Sequence, residues 1–142
     1  MEWYRDGYTI SNNQERMDTE RIYEMLSQSY WAKERSKEVI IQSMNHSICF
    51  AVLDGEKQVG FARLITDKIV FSWVCDLIIH PDYRGEGLGK WLVKCIMEHP
   101  DNQVRMLGLV TKDAHTLYQK FGFANKEMMQ CKIQKPASWQ EC

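Results

Sequence analysis

The sequence predicts a mixed α/β domain, because strand-like and helix-like stretches alternate along the chain and the strands outnumber the helices. A strand, a glycine-rich turn and a helix start follow one another in the middle of the chain. No repeat, low-complexity tract or Pro/Gly/Ser-rich linker interrupts 142 residues, and Pro81, Pro100 and Pro136 fall between elements. One domain over residues 1–142 is the expectation, with a core large enough to need no disulfide or metal.

Taken in order, Tyr8 to Ser11 reads as a first strand, and Asp18 as the N-cap of a helix that turns Ile22, Met25, Leu26 and Ser29 to one face. Ser36 caps a second helix through Met44, carrying Val39 and Ile40 inward. Tyr30 and Trp31 lie in the link between the two. Ser47 to Leu53 and Gln58 to Thr66, joined by Asp54-Gly55, read as an antiparallel hairpin. After an Asp67-Lys68 turn, the β-branched and aromatic run Ile69 to Ile79 is a central strand stopped at His80-Pro81. Leu88, Trp91, Leu92, Cys95, Ile96 and His99 repeat at helical spacing as far as Pro100. Val104 to Thr111 is a further strand, Ala114 to Phe121 a helix ended by Gly122, and Glu127 to Ile133 alternates as a last strand.

Composition narrows the function. Hydrophobic residues make up 44% and charged residues 26%, which suits a folded domain rather than a disordered chain. Eighteen basic against nineteen acidic residues leave no broad positive field, so neither nucleic acid nor an anionic membrane is an expected partner. The five cysteines form no CxxC pair and the four histidines are scattered, so they read as reduced core thiols and no metal site is expected. The N-terminal residues lack the apolar core of a signal peptide and no run approaches about 20 apolar residues, which makes the cytoplasm the expected location.

The segment Asp76-Leu77-Ile78-Ile79-His80-Pro81-Asp82-Tyr83-Arg84-Gly85-Glu86-Gly87-Leu88-Gly89-Lys90 is suited to an anion. The first amides of a helix have no intrahelical acceptor and sit at the positive end of the peptide dipoles, and glycine lets phosphate oxygens approach them. Arg84 and Lys90 add local positive charge. The loop is not a Walker loop, since Arg84 stands five before Gly89 and Trp91 follows Lys90. It is not a Rossmann fingerprint either, since Gly85, Gly87 and Gly89 give GxGxG with no βαβ start before them.

Arg84, Gly87 and Gly89 match the Arg/Gln-x-x-Gly-x-Gly/Ala motif, and the segment from Asp76 to Gly85 and the block Ala114-His115-Thr116-Leu117-Tyr118-Gln119-Lys120-Phe121-Gly122-Phe123 resemble the wording of the GNAT superfamily of N-acetyltransferases. The resemblance covers the cofactor half, roughly residues 69 to 123. It implies the GNAT fold: a central twisted mixed sheet of six to seven strands flanked by about four helices, with a splayed parallel pair in the middle. It implies acetyl-CoA as co-substrate, held by Arg84, Gly85, Glu86, Gly87, Leu88, Gly89 and Lys90, with the strand edge at Leu77, Ile78 and Ile79 meeting the pantetheine arm and the oxyanion. Thr111 stands where many relatives carry Asn to contact that arm. By the same likeness Tyr118 is the acid that protonates the leaving thiolate, the other reading being a core aromatic beside Leu117 and Phe121.

The acceptor implied is a primary amine of a small molecule or peptide, attacking directly in a ternary complex. An alkylamine of pKa about 10.4 requires roughly 4 to 5 kcal/mol for deprotonation at pH 7, so a carboxylate near it would help. Asp76 is that candidate, as a base or as acceptor-binding residue, with a structural carboxylate as the equal alternative. Tyr30 and Trp31 would line the acceptor pocket in the resemblance, or pack in the core. Trp139 would cap that pocket or meet a neighbouring subunit, a homodimer being the default assembly. His115 lies off the apolar stripe and reads as a surface residue. The reading from another class is a non-catalytic acyl-CoA-binding sensor or regulatory module.

Overall fold

The computed structural model describes residues 1–133. Its six strands form one sheet in the order β1 (Glu2–Arg5), β2 (Tyr8–Ser11), β3 (Ile48–Asp54), β4 (Lys57–Thr66), β5 (Phe71–Ile79) and β6 (Met106–Gly108). All neighbours pair antiparallel except β5 and β6, which run parallel. Among the described residues four α-helices accompany the sheet: α1 (Thr19–Ser27), α2 (Lys37–Asn45), α3 (Leu88–Glu98) and α4 (His115–Gln119).

Both faces of the sheet are covered, which is why β3 and β4 read as nearly continuous apolar runs. On one face Phe50, Val52 and Leu64 pack with Leu88, Leu92 and Ile96 of α3. On the other, Cys49, Phe61 and Ile78 pack with Ile22 and Leu26 of α1 and Ile40 of α2. Alternation along β3 sends Cys49 to one layer and Phe50 to the other. The helix starts follow the predicted caps. Asp18 accepts from the Arg21 amide at 3.1 Å and Ser36 from the Val39 amide at 3.1 Å. Gln58 is fully buried, yet its amide is satisfied, accepting from the Asp18 amide at 2.8 Å and donating to the Gly60 carbonyl at 3.0 Å.

The ends of the chain differ from the reading of the sequence. The first strand is preceded by another, β1, joined to β2 through Asp6 and Gly7 at φ +52° and +86°. Residues 127–133, expected as the last strand, are not a strand, and Met129 and Ile133 stand exposed. β6 keeps only three residues of the expected Val104 to Thr111 before it leaves β5, so the segment has no ladder beside it, and alternation without a partner does not make a strand. Among the described residues the parallel pair therefore lies at one side of the sheet rather than in its middle. α4 is also shorter than expected, closing after Gln119 with Gly122 at φ +92°. Trp139 and Pro136 lie outside the described residues.

Candidate active site

β5 ends where His80 donates its amide to the Val59 carbonyl at 2.8 Å, and a 3-10 turn at Pro81–Tyr83 leads to Arg84. Arg84 folds back, donating Nε to the Ile79 carbonyl at 3.0 Å. Gly85 and Gly87 then adopt φ +87° and +78°, a region that disfavours any residue with a Cβ. Gly87 occupies the N-cap of α3 and has no side chain to offer, and the first intrahelical bond runs from Trp91 N–H to the Gly87 carbonyl at 3.1 Å. The amides of Leu88, Gly89 and Lys90 thus have no partner one turn back. A Cβ at Gly85 would meet nothing within 4 Å, so open space lies outside the loop, as an approaching diphosphate requires. The loop is braced by the first hairpin. Tyr8 donates its hydroxyl to Glu86 at 3.2 Å, and Arg5 donates Nη2 to the Gly87 carbonyl at 3.5 Å while lying over the Trp91 ring.

The second part of the site is a fork between β5 and β6. Pairing runs from Phe71 with Met106 to Trp73 with Gly108 and stops there. Gly108 sits under the Trp73 ring, where a Cβ would lie 2.8 Å from ring carbons. Beyond it a cleft of about 310 Å³ opens between Val74 to Leu77 on one wall and Leu109 to Thr111 with Tyr118 on the other. A second cleft of about 470 Å³ continues along Ile78, His80 and Arg84 toward the glycine loop. Tyr30, Trp31 and Asp113 border both.

Asp76 lies in the wall of the fork at φ +57°, where the β4–β5 register shifts between Phe61 and Arg63. Its carboxylate is buried and held by three donors. Arg35 Nη1 reaches both oxygens at 2.9 and 2.8 Å, Arg63 Nε reaches Oδ2 at 2.8 Å, and Trp31 Nε1 reaches Oδ1 at 3.1 Å. Burial alone would raise its pKa, but the guanidiniums of Arg35 and Arg63 outweigh burial and hold it below the ordinary value of 3.8. Such a carboxylate is a fixed anion. It ties the α1–α2 link, through Trp31 and Arg35, to the kinked strand.

Tyr118 is placed by α4 with its ring edge-on to Phe123, buried but lining the fork. Burial first, then the charge of Asp113 and the neighbouring Tyr30, push its hydroxyl above the usual 10, so it is a proton donor at neutral pH. Thr111 lines the cleft and its Oγ1 accepts from the Ala114 amide at 3.0 Å, which steadies the entry to α4. Leu77 lines the fork, while Ile78 is buried in the α1–α2 layer and borders the second cleft. Tyr30 and Trp31 stack edge-on at the rim. His115 is exposed, as the sequence suggested. Sequence reasoning missed Arg35, Arg63 and Asp113, lone charged residues that only the fold assembles.

Two features thus converge: a helix start without a side-chain cap following the end of β5, and a parallel pair that opens beside a buried phenol. The family model for the acetyltransferase (GNAT) domain matches residues 45–125, and the chain belongs to the GNAT acetyltransferase family. A GNAT-family protein from Xanthomonas campestris pv. campestris is 33% identical and superposes with a TM-score of 0.86, covering 90% of this chain and 94% of that one. A candidate acetyltransferase of Gibberella zeae is 25% identical over 83% of this chain and 79% of its own. The N-acetyltransferase ycf52 of Pyropia yezoensis, itself uncharacterized, is 29% identical over 84% and 71%. Among the described residues no helix is long and apolar enough to cross a membrane, and no group of three or more His, Cys, Asp or Glu is placed to hold a metal ion.

Proposed function

We propose that the protein transfers the acetyl group of acetyl-CoA to a primary amine of a small molecule or peptide, by direct attack within a ternary complex. The observation that carries this reading is the start of α3, with no side-chain cap at Gly87 and open space at Gly85 beside it, following the strand that forms one wall of the fork. The donor supplies an activated thioester. Amides at the α3 start, with Arg84 and Lys90, bind the diphosphate. The β5 edge, free of β6 beyond Trp73, offers its backbone to the amide-rich pantetheine arm, and an N–H in the Leu77 to Ile79 stretch stabilises negative charge developing on the carbonyl oxygen. Tyr118 donates its proton to the sulfur as the C–S bond breaks, and the proton released from the acylated nitrogen to solvent restores the phenol, whose pKa lies above that of the thiol product.

Asp76 takes the structural alternative in this account. A carboxyl held below 3.8 does not accept a proton from an alkylammonium of about 10.4. It fixes Trp31 and Arg35 at the rim, and the amine reacts as the free base after losing its proton to water. With acceptors of high pKa, kcat/KM should rise about tenfold per pH unit between 7 and 9. A plateau at neutral pH that disappears in Asp76→Asn would restore Asp76 as the base.

A thiol-release assay over a panel of amines and short peptides, with Tyr118→Phe as control, tests the reading. The expected result is amine-dependent release of CoA that the variant loses while still binding acetyl-CoA. Binding of acetyl-CoA without turnover on any amine would instead support a sensor of the cofactor.

A further inference from the structure

The cluster around Asp76 contains two guanidiniums and one carboxylate, so among the described residues its ion pairs leave an excess of one positive charge in the wall of the fork. Arg63 is buried, with Nε on Asp76 and Nη1 donating to Ser47 Oγ at 2.8 Å. Arg35 differs. Only its Nη1 is engaged, by both oxygens of Asp76, and it lines the fork with its side chain 21% exposed. Its Nε and Nη2 donate to no described residue, and neither is among the buried polar atoms left without a partner. The Nε–Nη2 edge of a guanidinium presents two parallel N–H bonds at the spacing of a carboxylate.

The cleft also carries a charge of the opposite sign. Asp113 borders the cleft and lies close enough to raise the Tyr118 hydroxyl pKa. Asp76 also lines the cleft, but its oxygens are already occupied by Arg35, Arg63 and Trp31. Trp73, Val74 and Leu109 supply apolar lining. An anionic group entering this space is repelled by Asp113 and attracted by Arg35. An amine on the same molecule is then left on the Tyr118 side, where the acetyl group is transferred.

We infer that the acceptor is an amine carrying its own carboxylate, as an amino acid or short peptide does, and that the Nε–Nη2 edge of Arg35, which donates to no described residue, binds that carboxylate. This rests on the acetyltransferase reading above and names the substrate class of the same site. Arg35 is then a specificity-determining residue, and Asp76 a positioning residue that holds its Nη1 so that the other edge faces the cleft.

Acetylated products test this without the complication of differing amine pKa values. N-acetyl-leucine, N-acetyl-phenylalanine and N-acetyl-β-alanine, each beside its carboxamide, are titrated calorimetrically into the full chain saturated with CoA. At least one carboxylate should bind about 10- to 100-fold tighter than its carboxamide, the range of charge-assisted hydrogen bonds. Arg35→Lys keeps the charge beside Asp76 but loses the fork, and should bring that pair within about threefold of each other, with cooperative unfolding retained and the Kd for CoA as in wild type. N-acetyl dipeptides with a free C-terminus separate a peptide source from an amino acid. Carboxamides that bind as well as the carboxylates, no binding of any carboxylate, or a preference that survives in Arg35→Lys would overturn the inference. If wild type fails to bind CoA, the acetyltransferase reading itself falls. If CoA binds and the pairs do not differ, only the carboxylate assignment falls.

Discussion

Asp76 shows how a residue's surroundings decide its chemistry. In the sequence it is an acid in an apolar strand, open to service as a base. In the fold its oxygens face Arg35, Arg63 and Trp31 at 2.8 to 3.1 Å. Removing its charge leaves Arg63 buried without a counterion, so Asp76→Asn should lose about 3–5 kcal/mol of stability, read from urea unfolding. Tyr118 is the acid in the proposed reaction, and it lines the cleft with its hydroxyl protonated. Tyr118→Phe should lower kcat roughly 100- to 10,000-fold with the Kd for acetyl-CoA unchanged, and single-turnover kinetics would show the loss in the chemical step. Tyr118 and the loop glycines were legible because each sits in a local motif. Arg35 and Arg63 were not, since nothing in the chain near either points to residue 76; only the packing of the α1–α2 link against β4 and β5 brings them together.

Elements are fixed by a few local signals, and the glycine loop depends on two of them most. Gly87 holds φ +78° at the N-cap of α3. Gly87→Val should lose about 1–2 kcal/mol through that conformation and weaken CoA binding at least tenfold, measured by thermal unfolding and calorimetry. The helices with caps at Asp18 and Ser36, and the hairpin turned at Asp54-Gly55, were legible for the same reason: each is specified within a few residues. β1 carried its own signal in Asp6-Gly7, a dipeptide suited to a two-residue hairpin turn, but it lies between short strands with little apolar alternation. Residues 127–133 show the converse. Their alternation was read correctly as a pattern, but a strand needs a neighbour, and β6 leaves the ladder after Gly108.

The molecule as a whole places several ionisable groups in environments that favour their unprotonated forms, and these share one direction. Burial lowers the His99 pKa below 6.5, so the unfolded chain takes up that proton first and stability falls as pH drops below about 6.5. Asp76 is held below 3.8 despite its burial, and hydrogen bonds from Arg16 and Tyr4 bring Glu2 to about 2. Their contributions are present above the unfolded carboxylate range and are lost as pH falls through the folded values. The midpoint of urea unfolding should therefore decline from pH 7 to 5.5 and more steeply below 4; a midpoint flat between pH 7 and 3 would show that these groups do not matter to the fold. The loop follows the end of β5 and Tyr118 faces β5 across the fork, so one structure examines all three. A crystal structure with CoA bound should show the diphosphate accepting from amides at the start of α3 and the sulfur within hydrogen-bond reach of the Tyr118 hydroxyl. A cofactor lodged elsewhere, or a sulfur outside the cleft between β5 and β6, would contradict it.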